Sequence, residues 1–321
     1  MVGFDIGGTK CAVCIGEDIG GELIINDKRV IPTDHSVSPY DMIDRMCILA
    51  EEMSDKIDVI GISCGGPLNS KKGIIMSPPN LLGWNDVSIV EYLKARYNTN
   101  VYLENDANAC AVAEWKYGAG KGVDNMIFMT FGTGLGAGII LDGKLYRGTS
   151  DMAGEVGHIR LKKFGPVGYG KAGSFEGFCS GGGIAQLGKM YAQEKLQMGE
   201  SVSFCRDFSE LEGINAKFIG ECAKRGEEDA IEVYNTCGEM LGHGLSIIVD
   251  ILNPRMIVLG SIFQRSENLI RPKMQEVLKK ECLSYSLNVC EVVPAKLGDN
   301  IGDYAALSIA VMNEEGNLWT I

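Results

Sequence analysis

One arrangement occurs twice in this chain: a short apolar strand, a turn rich in glycine and threonine, and a returning strand. It runs first through residues 2–17, with its turn at residues 7–9, and again through residues 126–141, with its turn at residues 132–136. Glycines allow backbone amides to approach phosphate oxygens closely. A lone glycine turn is common, whereas two matched turns are far more specific. The repeat predicts a duplicated α/β architecture with phosphate groups held between the turns.

A cluster of polar residues lies between the two repeats. Residues 101–103 have the pattern of a buried strand end and are followed by Glu104, Asn105 and Asp106, after which an alanine-rich helix begins. In open α/β sheets, ligands bind beyond the carboxyl ends of the strands, and a carboxylate there can accept a proton from a bound hydroxyl. We therefore predict that Asp106 is a general base.

Two features allow both a functional and a structural interpretation. Asp5 is a carboxylate in an apolar strand beside two glycines and a threonine. That setting suits Mg²⁺ and phosphate, although an ordinary Gly-Gly hairpin has the same pattern. The loop through Asn80, Gly83 and Trp84 lines a polar ligand pocket in one interpretation and is a surface loop with one packed indole in the other.

Composition limits the class of protein. A chain of 321 residues is long enough for roughly two domains. Its formal net charge of −12 argues against a protein that binds a nucleic-acid backbone. An anionic nucleotide would need local backbone amides and a metal ion. Eleven cysteines, mostly in apolar segments, indicate reduced core thiols. Without a long apolar run, we expect a cytoplasmic protein that does not bind membranes.

Periodicity and capping residues predict further elements. Ser38 followed by a proline predicts the start of an amphipathic helix that ends near Met53. Further helices are predicted at residues 88–97, 216–223, 229–252 and 302–312, and strands at residues 57–63, 256–261 and 289–294.

Five motifs follow one another along the chain: DIGGTK at residues 5–10, PNLLGW at 79–84, LENDAN at 103–108, GTGLG at 132–136 and GEVGH at 154–158. Their order resembles that of the ROK family (repressor, open reading frame, kinase) in the actin-like, hexokinase-like ATPase superfamily. The resemblance covers essentially the whole chain. It implies a two-lobed actin-like/ribonuclease H-like ATPase fold, with duplicated α/β domains and a cleft between them. The N-terminal domain would comprise residues 1–110 and 301–321, and the C-terminal domain residues 111–300.

The resemblance also implies a role for individual residues. The first phosphate loop would comprise Asp5, Gly7, Gly8, Thr9 and Lys10, with Asp5 as a Mg²⁺ ligand, and the second would comprise Gly132, Thr133 and Gly134. Gly260 and Ser261 would lie at the adenine and ribose of ATP. Sugar hydroxyls would be held by Asn80, Asn105, Glu155, His158 and Glu176, with Asp106 as the base. Carboxylates, carboxamides and imidazole are the side chains that can orient such hydroxyls.

One segment departs from the family pattern. ROK proteins commonly carry, after the histidine, a cysteine-rich run that binds structural zinc together with it. Val167, Tyr169 and Ser174 occupy the three cysteine positions here, so we predict no zinc. The order of residues 159–176 would then depend on packing, for which we propose the following side chains: Phe164, Pro166, Tyr169, Phe175 and Phe178.

The function implied by the resemblance is an ATP-dependent sugar kinase, a cytoplasmic homodimer that phosphorylates a hexose, with the 6-hydroxyl of glucose as the first expectation. N-acetylmannosamine, N-acetylglucosamine, fructose, allose and β-glucosides are alternative substrates, because one methyl group or epimer changes binding by only ~1 to 3 kcal/mol. A sugar-responsive repressor and a non-catalytic sugar-binding protein are alternatives of another class. Repressors of the family begin with a helix-turn-helix domain, whereas this chain begins on the predicted strand at Phe4.

Overall fold

The glycine turn at residues 7–9 joins two antiparallel strands, as the sequence predicts. The structure is a computed structural model that describes residues 1–314. Its strands are β1 (Val2–Ile6), β2 (Lys10–Ile19), β3 (Glu22–Pro32), β4 (Val59–Cys64), β5 (Leu68–Asn69), β6 (Ile74–Ile75), β7 (Asn100–Asn105), β8 (Met126–Met129), β9 (Ala137–Leu141), β10 (Lys144–Tyr146), β11 (Val167–Gly168), β12 (Lys171–Ala172), β13 (Met256–Leu259) and β14 (Glu291–Pro294). Its helices are α1 (Pro39–Met53), α2 (Ile89–Tyr97), α3 (Asp106–Tyr117), α4 (Phe175–Phe178), α5 (Gly181–Gln197), α6 (Ala216–Lys224), α7 (Glu228–Leu252), α8 (Ile262–Glu281), α9 (Ser284–Leu287) and α10 (Ile301–Glu314).

These elements form two compact units, each defined by the contacts among its own residues. Unit 1 comprises residues 1–128, 137–154 and the stretch from Lys296, and unit 2 comprises residues 129–136 and 155–295. Residues 111–128 and 137–154, which the sequence-based boundary assigns to the second domain, group with unit 1 because α3 packs against β9 and α10. Residues 315–321 of the predicted N-terminal domain lie outside the described residues. The domain assignment itself stays a prediction.

Unit 1 is built on a five-stranded sheet with the order β3-β2-β1-β4-β7. The pairs β3/β2 and β2/β1 are antiparallel, and the pairs β1/β4 and β4/β7 are parallel. Burial on both faces explains the near-continuous apolar sequence of β4, in which every residue is buried. On one face lie α1 and α2, whose apolar side chains join the strands in one core; Ile43, Met46 and Leu93 are fully buried there.

The helix α10 packs against β1 and β4 in unit 1. Gly61 of β4 makes this close approach possible, because a Cβ atom at that position would lie 2.1 Å from the carbonyl oxygen of Ala306. The face of α10 toward the sheet consists of small and medium apolar residues, among them Ala306 and Ala310, which are fully buried. The C-terminal helix therefore completes the core of the N-terminal sheet, as the ROK resemblance implies.

Unit 2 is mainly helical. The longest helix, α7, packs along α8, and α5 and α6 pack against α7. Strands β13 and β14 pair in parallel, and α8 begins shortly after the carboxyl end of β13. Helix α8 has a kink at Ser266 and contains Pro272, and it is absent from the sequence-based prediction. Of the helices within residues 1–314, none is long and apolar enough to cross a membrane.

The carboxylate of Glu114 on α3 is fully buried and accepts three backbone hydrogen bonds. Its Oε2 atom accepts from the N–H of Ala119 at 2.7 Å. Its Oε1 atom accepts from the N–H groups of Lys296 and Leu297 at 2.9 and 2.8 Å. Because a buried charge needs full hydrogen bonding, this side chain fastens α3 to the segment that leads into α10.

We expect Glu114→Ala to destabilise the protein by about 3–5 kcal/mol, since it leaves buried N–H groups without acceptors. The midpoint of urea unfolding, followed by circular dichroism, measures the loss. Glu212→Ala is the matched control, because that side chain is 92% exposed and its removal changes stability by only about 0.5 kcal/mol. Equal midpoints for the two variants would contradict the assigned role of Glu114.

Candidate active site

Three parallel strands of unit 1 end side by side. Ile6 of β1 pairs with Cys64 of β4, and Cys64 pairs with Asn105 of β7. The turn after β1, the glycine pair after β4 and Asp106 after β7 therefore lie at one edge of the sheet. This is the carboxyl edge, where ligands bind in open α/β sheets.

Asp106 is the first residue of α3, and solvent reaches its side chain. Its Oδ1 atom accepts a hydrogen bond from the N–H of Ala107 at 2.8 Å. Asn105 is the N-cap, and its Oδ1 atom accepts from the N–H groups of Ala107 and Asn108 at 3.0 and 3.3 Å. Desolvation by the dense protein around the carboxylate raises the pKa of Asp106 above its ordinary value. An accessible carboxylate with a raised pKa suits a general base.

A buried ion pair fixes the position of Glu104, the residue before the N-cap Asn105. Glu104 is fully buried, and its Oε2 atom accepts from the Nε and Nη2 atoms of Arg147 at 2.7 and 2.6 Å. Its Oε1 atom accepts from Asn105 N–H at 3.0 Å and from the Nδ2 atom of Asn108 at 2.9 Å. Glu104 therefore positions both the strand end and the first turn of α3. Sequence reasoning gave Arg147 no role, because it lies 43 residues from its partner.

Asp5 lies on β1 at the same edge of the sheet. Burial is the main cause that raises the pKa of Asp5 to about 6, and the negative charges of Asp106 and Asp303 add to it. The hydroxyl of Ser63 hydrogen-bonds the carboxylate and opposes the rise. Gly302 is close by, since a Cβ atom there would lie 2.8 Å from Asp5 Oδ2. Asp5 is thus one of several acids gathered in a small volume.

The first glycine turn is held together by backbone contacts. Gly7 N–H donates to the carbonyl oxygen of Lys10 at 3.1 Å, and both Thr9 and Lys10 are exposed. Gly8 packs against the loop at Asn80, where a Cβ atom would lie 2.4 Å from the Asn80 carbonyl oxygen. The structure therefore brings the predicted phosphate turn and the predicted sugar ligand Asn80 together within unit 1.

The second glycine turn, in unit 2, is held by a side chain as well as by a backbone hydrogen bond. Gly132 N–H donates to the Gly134 carbonyl at 3.1 Å and closes the turn. Leu135 N–H donates to Glu176 Oε2 at 3.1 Å, and a Cβ atom at Gly134 would lie 2.9 Å from the same oxygen. Glu176, predicted from the resemblance to hold a sugar hydroxyl, thus also holds the turn. The sequence carries no signal for this second role.

Glu155 and His158 lie close to this second turn. Glu155 is exposed, whereas His158, at the end of a short 3₁₀ helix, is half-buried. Gly157 between them packs tightly, because a Cβ atom there would lie 2.3 Å from the Leu135 carbonyl oxygen and 3.2 Å from the Glu176 Cβ atom. Unit 2 therefore brings Glu155, His158 and Glu176 together beside the second glycine turn.

A cavity of about 700 Å³ opens in unit 2, which is a volume typical of sites for small molecules. Three residues predicted from the resemblance line it, namely Gly132, Thr133 and Ser261. Gly134 and Gly260 are not among the described lining residues. Further lining residues come from the glycine-rich start of α5, from α6 and from the start of α8: Gly181, Gly182, Ala216, Lys217, Gly220, Glu221, Lys224, Ile262, Arg265 and Ser266, together with Tyr234 of α7.

The charged side chains that line this cavity are mostly cations. Among the described lining residues, Lys217, Lys224 and Arg265 are cations and Glu221 is the one acid, although the whole chain has a net charge of −12. Arg265 also donates from Nη2 to the hydroxyl oxygen of Ser261 at 3.0 Å. A local excess of positive charge favours an anionic ligand such as a nucleotide. Sequence reasoning missed these cations, because they lie on ordinary amphipathic helices.

The sequence profile of the ROK family matches residues 1–312. The chain belongs to the ROK family. A glucokinase from Streptomyces coelicolor is 30% identical over 313 residues, which are 96% of both chains. A xylose repressor from Bacillus subtilis is 27% identical over 97% of this chain and 76% of its own length. ROK proteins similar to this chain thus include both named kinases and named repressors.

A solved ROK structure supports the same conclusion. The ROK glucokinase from Streptomyces griseus, in complex with glucose and AMPPNP, is 27% identical with a TM-score of 0.76, over 97% of this chain and 99% of that one. The predicted fold class, the two-lobed α/β fold of ROK sugar kinases, is confirmed.

The three positions at which ROK proteins commonly carry cysteines have other partners here. Val167 exchanges two hydrogen bonds with the Gln186 amide, at 2.8 and 2.9 Å. Ser174 caps α4 and accepts from Gly177 N–H at 3.1 Å. The ring of Tyr169 lies edge-on to His158, with centroids 5.0 Å apart. These side chains do not supply the thiolate ligands that a structural zinc site needs. The absence of zinc stays a prediction.

Packing of some predicted side chains and backbone hydrogen bonds together order residues 159–176. Pro166, Phe175 and Phe178 are buried, but Phe164 and Tyr169 are 76% and 65% exposed. The packing prediction is therefore wrong for Phe164, whereas the exposed ring of Tyr169 still contacts His158 edge-on. Backbone hydrogen bonds also order the loop: Leu161 and Lys162 N–H to Gly173, Gly173 N–H to Pro166 and Phe175 N–H to Ile159.

Asp5→Asn should stabilise the metal-free protein. The pKa of Asp5 in the folded chain, about 6, exceeds its ordinary 3.8, so the ionised carboxylate destabilises the fold above pH 6, and that penalty disappears as the pH falls toward 4. The gain at pH 7.5 should be about 1–3 kcal/mol and should shrink by pH 5. Thermal unfolding in EDTA measures it.

Asp34→Asn is the control, because it should change the stability at pH 7.5 in the opposite direction. Hydrogen bonds from Ser36, and then from Arg45, lower the pKa of Asp34 to about 2, so its replacement should reduce stability at pH 7.5. If Asp5→Asn lowers the unfolding temperature equally at pH 7.5 and pH 5, the proposed desolvation of Asp5 is wrong.

Proposed function

We propose that this protein is an ATP-dependent sugar kinase that transfers the γ-phosphate to a hexose hydroxyl, with the 6-hydroxyl of glucose as the first candidate. The observation that carries the proposal is Asp106, an accessible carboxylate with a raised pKa at the carboxyl ends of the parallel strands β1, β4 and β7. Support comes from a glucokinase that is 30% identical over nearly the whole chain.

Asp106 would accept the proton of the attacking hydroxyl. Its Oδ1 atom is held by Ala107 N–H, which fixes the plane of the carboxylate. Its Oδ2 atom faces Gly65, where even a Cβ atom would lie 3.9 Å away, so the turn after β4 leaves space for a hydroxyl. Phosphoryl transfer requires mainly positioning and charge stabilisation from the protein, and a base oriented in this way contributes to the first.

Asn105 and Asn80 would orient the sugar. The Oδ1 atom of Asn105 is occupied as the helix cap, so its Nδ2 atom is the group that can donate to a hydroxyl. We also propose Glu155, His158 and Glu176 as ligands of sugar hydroxyls. Because Glu176 Oε2 already accepts from the second glycine turn, its Oε1 atom would serve the sugar. One side chain would then couple the sugar to the turn that we propose holds phosphates.

ATP would bind in the cavity lined by Gly132, Thr133 and Ser261, with Lys217, Lys224 and Arg265 as counter-charges. Both glycine turns would contribute backbone N–H donors for phosphates. The residues concerned are Gly7, Gly8, Thr9 and Lys10 in the first turn and Gly134 in the second.

Mg²⁺ would offset the charge of those phosphates. Asp5 fits this ion, because Mg²⁺ is commonly bound by one or two carboxylates together with phosphate oxygens, and because a cation would relieve the repulsion from Asp106 and Asp303.

A cytoplasmic location and a homodimeric state also stay predictions.

Asp106→Asn should reduce turnover by about 10²- to 10⁴-fold, since the amide cannot accept the proton, while sugar binding is retained. Coupled ADP release measures turnover, and calorimetry with the sugar measures binding. In the unchanged protein, the raised pKa of Asp106 should make kcat/KM fall on the acid side at a higher pH than an ordinary aspartate would. Glu91→Gln on the exposed side of α2 is the control. Full activity of the Asp106 variant would refute the assignment of the base.

A panel of sugars distinguishes the remaining functions. We expect ADP release to be faster with glucose than with the alternative substrates, which are N-acetylmannosamine, N-acetylglucosamine, fructose, allose and β-glucosides. Similarity to the Bacillus subtilis xylose repressor keeps a sugar-responsive regulator as the second candidate. Binding of a sugar without ADP release from any member of the panel would support the regulator and exclude the kinase.

A further inference from the structure

The short hairpin formed by β11 and β12 contacts His158 in two ways. The ring of Tyr169, at the tip of the hairpin, lies 5.0 Å from the imidazole at an interplanar angle of 80°. The Nζ atom of Lys171 donates to the carbonyl oxygen of His158 at 2.7 Å. The hairpin thus restrains both the ring and the backbone of the histidine that we propose as a sugar ligand.

Tyr169 is an unfavourable residue for this turn. It has φ +44° and is followed by Gly170 with φ +74°, so both central residues of the two-residue turn are left-handed. Asn-Gly is the sequence that such turns prefer, and a tyrosine in the left-handed region costs free energy. Burial does not compensate, because the side chain is 65% exposed. An edge-on ring contact such as that with His158 contributes free energy that opposes this cost.

We propose that Tyr169 is a positioning residue for sugar binding: its ring holds the imidazole of His158 in the orientation in which a ring nitrogen meets a sugar hydroxyl. The inference rests on the proposed sugar site. An edge-on aromatic contact has directional preference and restricts rotation of the smaller ring. Loss of this restraint should weaken sugar binding about 3- to 10-fold, which is the range of such contacts.

The decisive variant is Tyr169→Asn, because the structural and the positioning roles predict opposite results. Asn-Gly favours the observed turn, so the hairpin should be at least as stable as before, while the contact with His158 is lost. Tyr169→Phe keeps the ring and should behave as the unchanged protein. Tyr285→Ala in α9 is the control for the loss of an exposed tyrosine, since that side chain is 82% exposed.

Histidine side-chain NMR tests the contact without any assay of activity. The chain has three histidines, His35, His158 and His243, so their imidazole signals can be assigned by single substitutions. Tyr169→Asn should shift the His158 signals and leave the other two in place, and Tyr169→Phe should not. Unshifted His158 signals in the Asn variant would overturn the proposal. So would stoichiometric zinc in the purified protein that is lost in His158→Ala, because the histidine would then be a metal ligand.

Kinetics tests the consequence. In Tyr169→Asn, we expect KM for the sugar to rise about 3- to 10-fold, with a smaller change in kcat, an unchanged KM for ATP and an unfolding temperature that is not lower. An unchanged KM for the sugar, or a loss of activity that follows a lower unfolding temperature, would overturn the positioning role. If no sugar supports ADP release, the kinase proposal fails, and the role of Tyr169 is then decided by the sugar Kd from calorimetry together with the NMR result.

Discussion

The buried pair of Glu104 and Arg147 is the interaction on which the proposed catalytic edge of unit 1 depends. A carboxylate with no exposed surface is tolerated only when its charge is paired and its lone pairs are satisfied. Glu104 meets both conditions with a two-pronged contact to Arg147, and it also accepts from the backbone of Asn105 and the side chain of Asn108. The end of β7 and the first turn of α3 are thereby locked in one arrangement. The orientation of Asp106, the first residue of that helix, follows from this lock.

Acids are concentrated at this edge at a cost in stability. Burial raises the pKa of Asp5, and the nearby charges of Asp106 and Asp303 raise it further. Lys28 compensates part of this charge through an ion pair of 2.6 Å with Asp303. Functional sites often keep such unfavourable groupings because the ligand relieves them. A cation bound to phosphates would supply that relief here, and the cluster of acids is for this reason consistent with the proposed metal nucleotide.

Local patterns predicted much of the secondary structure. Ser38 followed by a proline predicted the start of α1, where the structure has a capping box with Asp41. The switch from an apolar strand to an alanine-rich helix predicted the junction of β7 and α3. Strand β3 and helix α8 were missed. Strand β3 is rich in charged and exposed residues because it is the edge strand, and α8 contains Pro272 and a kink that interrupt the helical pattern. Both elements form through tertiary pairing and packing, which override their local preferences.

The sequence by itself determined the two glycine turns, the acid at the strand end and the family, because each is encoded by residues adjacent in the chain. Tertiary structure alone decided the partners of the buried charges. Glu114 meets Lys296, Glu104 meets Arg147 and Glu176 meets the second glycine turn only after folding. The cations of the cavity in unit 2 and the contact between Tyr169 and His158 are of the same kind. Hydrogen bonds and charge pairs act over a few ångströms in space, whatever the separation along the chain, so no local pattern records them.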